Sequence, residues 1–369
     1  MVGGFHYSPT LFIYLGLRYA AQVALALLIL ISYIYFLEVI ELSRGITQKG
    51  DDYSFFYVMV ISLFNLPHLM SKVFPFAILF GSIGCFYFWN KSHEFTISRA
   101  VGQSIWGALL PAFAVAFALG LAHILIVNPI ASATVKQYQH HLESIFGKSD
   151  ASDISISTSG IWFRDGTEGN NLIIHGTQLD IENAQIAQPA LYQLQPDGLL
   201  AWRIVAEQMR LTESGWIVND AVKVTGDGVT SEIGDVLLPT AMQPSDIAQT
   251  KQSADTVSIY QLPRFISIQK AAGLSVTEHL VFFHQLVATP LEFVGLAMLA
   301  ASFTLAFYSR QFKIKLILYG VGAGFGFYFL SDLIYLLGSS ARLPYLLEGY
   351  GPGLMICVLG GFLLARIDE

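Results

Sequence analysis

The amino-acid sequence predicts a polytopic α-helical membrane protein, with six transmembrane helices in two groups of three and an all-β, jelly-roll-like domain inserted between them. The first observation is composition: 54% of the 369 residues are hydrophobic and only 13% are charged, whereas a soluble domain carries about 25% charged residues. The second is that the apolar residues form six runs, each about as long as the roughly 20 residues that cross a bilayer. The net charge of −7 lacks the basic surplus that binds nucleic acid, so no nucleic-acid partner is expected.

Three apolar runs predict transmembrane helices within residues 1–128. The first run is far longer than the core of a signal peptide, which has about 7 to 15 residues, so it is predicted to remain as a helix. The third is expected to end before Asn128-Pro129, because a residue that precedes proline avoids the helical conformation. The three predicted helices cover roughly 12–38, a stretch within 54–90, and roughly 102–127.

Residues 129–275 contain no run that could span a membrane, and the pattern changes there to short alternating runs separated by turn residues. Such runs predict β-hairpins, one around Asp165-Gly166 and one around Pro196-Asp197-Gly198. Two further short strands are predicted at Trp216–Val218 and Val222–Val224. An antiparallel sandwich or jelly roll follows from this pattern. The predicted hairpins pair Ile161–Arg164 with Leu172–His175, and Leu191–Leu194 with Leu199–Ile204.

Three more apolar runs predict transmembrane helices within residues 276–369, at roughly 283–308, 314–337 and 345–366. Lysine and arginine in the connections set the orientation, because cytoplasmic loops carry an excess of both. Both termini are therefore expected in the cytoplasm and the β domain on the opposite side of the membrane. The basic residues placed in the cytoplasm are Lys91, Arg99, Arg310, Lys313, Lys315 and Arg366, against Arg44, Lys49 and Arg342 outside.

Local motifs accompany this layout of three helices, a β domain and three more helices. They are Asn65-Leu66-Pro67 with Phe74-Pro75, the segment Ser92–Gly102, the segment Gly160–Gly166, Pro290-Leu291, and Gly320–Gly326 followed by Asp332. Layout and motifs together resemble the LptF/LptG family of permeases, which in pairs extract lipopolysaccharide from the bacterial inner membrane. The resemblance covers nearly the whole chain, and the segment Gly160–Gly166 is similar to the Gly-Leu-Trp opening of LptG-like members.

The resemblance implies a permease subunit of an ATP-driven, ABC-type exporter that passes lipopolysaccharide to a periplasmic bridge. No sequence of the form G-x-x-x-x-G-K-[ST] is present, so ATP hydrolysis is expected on a separate subunit. The implied partners are a homologous LptF-like permease, a cytoplasmic LptB-like ATPase dimer, a single-span LptC-like protein and a periplasmic LptA-like bridge. Two alternatives stay open: a membrane-anchored periplasmic receptor or scaffold that binds a partner through its β domain, and a subunit of a different lipid or lipoprotein exporter.

The connection 91–102 is the candidate site for coupling to the ATPase. Glu94 and Ser98 are separated by four residues, so they share one face if the segment is helical. Arg99 follows directly and adds a positive charge. A solvated loop between two membrane helices would explain the same residues, and the resemblance favours the coupling function.

The candidate lipid-binding or gate residues lie in the first and fifth predicted membrane helices. Gly320 and Gly324 form a small-xxx-small pair that allows close helix contact, either within the chain or at a seam with the partner permease. Asp332 is a carboxylate in a membrane helix, which is costly unless it faces protein, water or a polar ligand. Family members often carry a basic residue where this chain has Tyr35–Glu38. The remaining candidates are Tyr35, Glu38, Arg44, Tyr328 and Arg342.

Catalytic and metal sites are not expected. His140-His141 point to opposite sides of a helix, and the five-residue spacing of His279 and His284 suits one-face chelation poorly. No G-x-S-x-G or H-E-x-x-H sequence occurs, so no residues are available to name as a hydrolytic centre. The sequence therefore predicts a transporter subunit without a cofactor.

Overall fold

A computed structural model of the chain describes most of the sequence, and its residues form two compact units. The first unit comprises Met1–His141, Asp255–Tyr260 and Leu280–Glu369, and the second comprises Leu142–Ala254 and Gln261–His279. The described residues are 9–49, 53–100, 102–146, 154–157, 160–165, 171–180, 183–194, 200–212, 215–225, 229–240, 254–271, 276–305, 313–339 and 344–368.

Helices account for most of the first unit. Five of the described helices are long and apolar enough to cross a membrane, and their spans are Pro9–Gln48, Phe55–Lys91, Ile105–Leu142, Thr277–Leu305 and Tyr345–Ile367. A further long helix covers Lys313–Ser339, and the count of six transmembrane helices stays a prediction. In chain order the helices are α1 Pro9–Lys49, α2 Phe55–Lys91, α3 Glu94–Ala100, α4 Ile105–Ala122, α5 Asn128–Phe146, α6 Leu262–Ala271, α7 Thr277–Leu305, α8 Lys313–Ser339 and α9 Tyr345–Asp368, with a π-helix over His123–Val127.

The third membrane helix does not end before Asn128-Pro129, so that prediction is wrong. The chain passes from α4 through the π-helix into α5 without leaving the helical conformation, and the Asn128 N–H bonds the carbonyl of His123, five residues back. Pro129 has no N–H to offer Leu125, four residues before it. The Tyr260 hydroxyl donates to that Leu125 carbonyl at 3.3 Å, and other groups commonly satisfy a carbonyl freed in this way. Proline therefore marks a change of helix type here and not a helix end.

Close packing inside the helical unit depends on small residues and one buried polar pair. Tyr19 of α1 is fully buried, and its hydroxyl lies 2.7 Å from the Ser82 hydroxyl of α2. Gly120 of α4 lies against the backbone of Pro290 in α7, where any Cβ would collide. The apolar core of this unit includes Ile78, Leu109, Phe293 and Ile356. By contrast, Leu28 and Phe329 are 61% and 71% exposed, which is the distribution expected of a surface that faces lipid or another apolar chain.

The described residues of the second unit form a ten-stranded antiparallel sheet. The strand order is β1-β2-β3-β6-β7-β9-β8-β5-β4, with β10 paired to β9, and β2 also contacts β4, so the sheet is nearly closed on itself. The exact jelly-roll connectivity stays a prediction. The strands are β1 Ile154–Ser157, β2 Gly160–Asp165, β3 Asn171–Gly176, β4 Gln178–Asp180, β5 Gln185–Ala187, β6 Ala190–Leu194, β7 Leu200–Val205, β8 Gln208–Thr212, β9 Gly215–Thr225 and β10 Thr230–Leu238.

The two predicted hairpins are confirmed, because β2 pairs with β3 and β6 pairs with β7, both antiparallel. The two short strands predicted on either side of Asp220 are in fact one strand, β9. Asp220 has a φ of 52°, which bends β9 without ending it. The first half of β9 then pairs with β8 and the second half with β7, so one strand joins two parts of the sheet.

The segment 129–275 is not entirely β, because it holds most of α5 and the whole of α6. The α6 sequence begins Leu-Pro, and a proline in the first turn of a helix has no hydrogen bond to lose. Leu262, Phe265 and Gln269 recur at helical spacing, and Leu262 and Gln269 are buried. This three- and four-residue spacing differs from the two-residue alternation of strands, so a pattern of strands does not predict α6. The core of the sheet itself is filled by Ile174, Leu191, Met209, Trp216 and Val218.

Candidate coupling and lipid-facing sites

The predicted coupling segment is a short helix set between two tight turns. Helix α2 ends at Lys91, and His93 then adopts a φ of 61° before α3 begins at Glu94. Gly102, with a φ of 85°, follows α3. The Ser104 hydroxyl next accepts a hydrogen bond from the Gly107 N–H at 3.1 Å and caps α4. The segment therefore has a defined helical structure and not the form of an extended loop.

Glu94 is held by a residue that the sequence analysis did not single out. Arg18 of α1 forms an ion pair and hydrogen bond with Glu94 Oε1, and it also lies 3.3 Å from the Tyr14 hydroxyl. Within the described part of the chain, Glu94 Oε2 is buried and accepts no hydrogen bond. Arg18 is the one charged residue in the apolar stretch 9–37. A single charge in an apolar run is the sequence feature that could have identified Arg18 as a candidate site residue.

The other two coupling candidates, Ser98 and Arg99, lie in α3, but their side chains are outside the described part of the structure, so their roles stay predictions. Ile97 between them and Glu94 is 62% exposed. A cleft opens where α3 meets the ends of α1 and α4, and it is lined by Leu11, Leu15, Trp89, Phe95 and Gln103 as well as by Glu94 and Ile97. The arrangement combines an exposed apolar side chain with a partly satisfied carboxylate.

In the second half of α1, Glu38 is the centre of a hydrogen-bond cluster. Its Oε1 accepts from Asn65 Nδ2 at 2.8 Å and from the Tyr138 hydroxyl at 2.7 Å, which connects α1 to α2 and α5. The Tyr35 hydroxyl donates to the Met59 carbonyl at 2.9 Å. Arg44 is exposed. Glu38 and Tyr35 are therefore committed to contacts within the chain, whereas Arg44 presents its charge at the surface.

A second polar cluster holds the segment Asp255–Tyr260 to the helices. Asp255 Oδ2 lies 3.4 Å from His68 Nε2 and 3.6 Å from Lys72 Nζ, both on α2. Asn128 Oδ1 accepts the Ile259 N–H at 2.8 Å. Lys72 thus has a carboxylate partner in the chain.

The small residues of α8 are divided between two environments. Gly320 lies against Phe303 of α7, and Gly324 lies against Leu79 of α2, which is the packing within one chain that the sequence left open. Gly322 and Gly326 have open space where a side chain would stand. One face of α8 is thus used inside the chain and another is left uncovered.

The remaining candidates lie further along α8 or beyond it. The Tyr328 ring is 4.7 Å from the Phe76 ring, and Asp332 is exposed. Tyr328 is within electrostatic range of Asp332 and also of Glu292 in α7. Glu292 is an acidic membrane-helix residue that the sequence analysis missed, although a carboxylate inside an apolar run is itself a signal. Arg342 lies outside the described residues.

Among the described residues, no group of three or more His, Cys, Asp or Glu side chains could hold a metal ion. His284, one of the histidines considered for that role, has its Nδ1 3.2 Å from the Tyr350 hydroxyl and its ring stacked on Tyr345. These contacts place His284 in the packing between α7 and α9.

The long apolar helices, their exposed apolar faces and the inserted β sheet indicate a multi-pass membrane protein. A family model described as "Lipopolysaccharide export system permease LptF/LptG" matches residues 13–366. The chain therefore belongs to the LptF/LptG family, as its motifs predicted, and the match does not distinguish the two branches. No curated protein matches the chain. Family and helices together indicate a lipopolysaccharide export permease of the inner membrane, a transporter component and not an enzyme.

Proposed function

We propose that the chain is the permease subunit of an ATP-driven, ABC-type exporter that extracts lipopolysaccharide from the inner membrane and passes it to a periplasmic bridge. The observation that carries this proposal is α3, a short helix in the connection between two membrane helices, which exposes Ile97 beside the partly satisfied carboxylate of Glu94. An exposed apolar side chain next to a charge is suited to docking a partner, and the partner here is a cytoplasmic ATPase dimer. Ser98 and Arg99 complete the docking face.

The membrane topology of the proposal follows the distribution of basic residues. Six transmembrane helices, three within 1–128 and three within 276–369, place both termini in the cytoplasm, with 91–102 as the coupling segment. The β domain, predicted over 129–275, is periplasmic, and there it hands the lipid to a single-span LptC-like protein and an LptA-like bridge. Trp162 in β2, within the segment Gly160–Gly166, favours the LptG-like branch of the family.

The lipid path of the proposal uses the exposed apolar faces of α1 and α8. Large side chains such as Phe36 and Phe329 project from these faces, and a homologous LptF-like subunit would enclose the acyl chains against them. The uncovered positions Gly322 and Gly326 allow close approach of that subunit, while Gly320 and Gly324 hold α8 in place. Tyr35, Glu38 and Tyr328 lie along this path. Arg44 and Arg342 would meet lipid phosphates at the outer rim, and Asp332 would meet hydroxyl or amine groups.

The test is purification in mild detergent after co-expression with the genomic neighbours, followed by mass spectrometry of the proteins and lipids that co-elute. Recovery of an ATPase, a second six-helix permease and lipid A species is the expected result. Loss of the ATPase from an Ile97→Glu variant, with a Val229→Glu variant as control, would place docking at α3. Elution of the chain with neither ATPase nor glycolipid would contradict the proposal and favour a receptor or scaffold.

A further inference from the structure

The position of Arg18 is unusual for a cation. It is the one charged residue in the stretch 9–37 of α1, and a charge within an apolar membrane helix is costly unless it is paired. Its neighbour Tyr19 is fully buried and bonded to Ser82 of α2. That contact fixes the rotation of α1 at this level, so the direction in which Arg18 projects is fixed as well.

The residue that Arg18 reaches is the first residue of the coupling helix. Glu94 directly follows His93, whose left-handed φ of 61° lets the chain turn sharply at the end of α2. Gly102, with a φ of 85°, forms the turn after α3. These turns separate the seven-residue helix α3 from the ends of α2 and α4. Two contacts hold α3 against the rest of the helical unit: Phe95 packs on the apolar core, and Glu94 pairs with Arg18 of α1.

The Arg18–Glu94 pair connects α3 to α1 and uses only one of the two carboxylate oxygens of Glu94. Oε1 receives the guanidinium of Arg18, while the buried Oε2 accepts no hydrogen bond from the described residues. Glu94 can therefore keep its bond to Arg18 and accept a second donor through Oε2.

We propose that Arg18 is a positioning residue that ties the coupling helix α3 to the membrane helix α1, so that the two move together when the ATPase acts on α3. This inference rests on the proposed function for the identity of the partner, but the tie itself is a property of the chain alone. Helix α1 carries an exposed apolar face, so moving α1 moves a wall of the lipid path. Arg18 would then transmit force without contacting lipid or nucleotide.

The first experiment measures the tie directly. A spin label is attached at Ile97→Cys in a Cys85→Ala, Cys357→Ala background, and its mobility is recorded by electron paramagnetic resonance in the full chain. Arg18→Gln is expected to raise the mobility of the label, Arg18→Lys to leave it nearly unchanged, and the exchange Arg18→Glu with Glu94→Arg to restore it. Tyr14→Phe removes only the neighbouring hydroxyl and serves as the matched control. Equal mobility in Arg18→Gln and the parent chain would overturn the proposal.

The second experiment uses the complex recovered with the ATPase and reconstituted in vesicles that contain lipopolysaccharide. Arg18→Gln is expected to retain the ATPase but to lower ATP-driven lipid release by about tenfold, because a movement of α3 would no longer be passed to α1 through this ion pair. Arg366→Gln, which removes a positive charge from the same predicted side of the membrane, is expected to keep release. Unchanged release in Arg18→Gln would contradict a role in transmission. If no ATPase is recovered with the parent chain, the proposed function fails, and the label mobility still decides whether the tie exists.

Discussion

The helical unit and the β unit place their large apolar side chains in opposite ways. In the β unit, Trp216 and Ile174 are fully buried under the sheet, as in any domain folded in water. In the helical unit, Leu28 and Phe329 project outward while Tyr19 and Ser82 form a buried polar pair. The difference teaches that one chain is folded against two solvents, and that exposure of a leucine has a different meaning in each unit.

The largest expected effect is on the β side of this comparison. Trp216→Ala removes the largest fully buried side chain, and truncation of a buried aromatic residue typically costs about 3–5 kcal/mol of the free energy of unfolding. Hydrogen–deuterium exchange of the β9 amides in the full chain measures this loss. Ile217→Ala, on the other face of the same strand, is expected to cost less than about 1 kcal/mol. Similar exchange in both variants would contradict the assigned core.

Introducing a charge at an exposed apolar position distinguishes a surface that faces lipid from one that faces water. Leu28 and Val229 are 61% and 64% exposed, yet Leu28→Asp is expected to cost about 2.5–3.5 kcal/mol of membrane insertion, whereas Val229→Asp stays in water and costs almost nothing. The amount of folded protein in the membrane fraction, measured by fluorescence-detected size exclusion, compares the two variants. Equal recovery of both would remove the basis for distinguishing the surfaces.

Helix contacts inside the helical unit should respond to a single methyl group. Gly324→Ala forces a Cβ against the buried Leu79 side chain and is expected to destabilise the unit by about 1 kcal/mol or more. Gly326→Ala has open space and removes a helix-weakening glycine, so it is expected to stabilise by up to about 1 kcal/mol. Melting temperatures in detergent test the sign of each change, and a lower melting temperature for Gly326→Ala would show that its face is covered.

The smallest expected effect concerns the segment that returns to the helices. Asp255→Asn weakens the contacts with His68 and Lys72, and because Lys72 is largely exposed solvent screening leaves less than about 1 kcal/mol. The loss should shrink further in high salt, which a melting series at increasing sodium chloride concentration measures. Lys136→Gln, a change at an exposed cation of α5, is the matched control. A loss that is independent of salt would mean that Asp255 acts through hydrogen bonding alone.

The features that were predicted correctly have a local signal in the sequence. A long apolar run indicated a helix where α1 lies, although α1 extends to Lys49, beyond the predicted end at about residue 38. Asp165-Gly166 between two alternating runs indicated the β2–β3 hairpin. The prediction at Pro129 was wrong, because the hydroxyl that satisfies the freed Leu125 carbonyl comes from Tyr260, far along the chain. The prediction at Asp220 was wrong, because a left-handed residue bends a strand as readily as it ends one.

The candidate sites show the same limit more strongly. Glu94 was predictable from its place in a short connection, but its partner Arg18 lies 76 residues away, and no spacing rule links them. Glu38 was predicted as a lipid-binding or gate residue, which stays a prediction, and its two hydrogen bonds, to Asn65 and Tyr138, had no local signal in the sequence. Such contacts are set by how helices pack, which depends on the whole unit and not on a motif.

The π-helix between α4 and α5 acts as a one-residue insertion in an otherwise continuous helix. An additional residue in a helix turns everything beyond it by about 100°. Because of that rotation, the Asn128 side chain projects toward Ile259, and its amide oxygen accepts the Ile259 N–H. Without the rotation it would project in another direction around the helix axis. Deletion of one residue within His123–Val127 would shorten the helix by only about 1.5 Å. It would nevertheless rotate α5 about its axis, so that the side chains of α5 would face different neighbours.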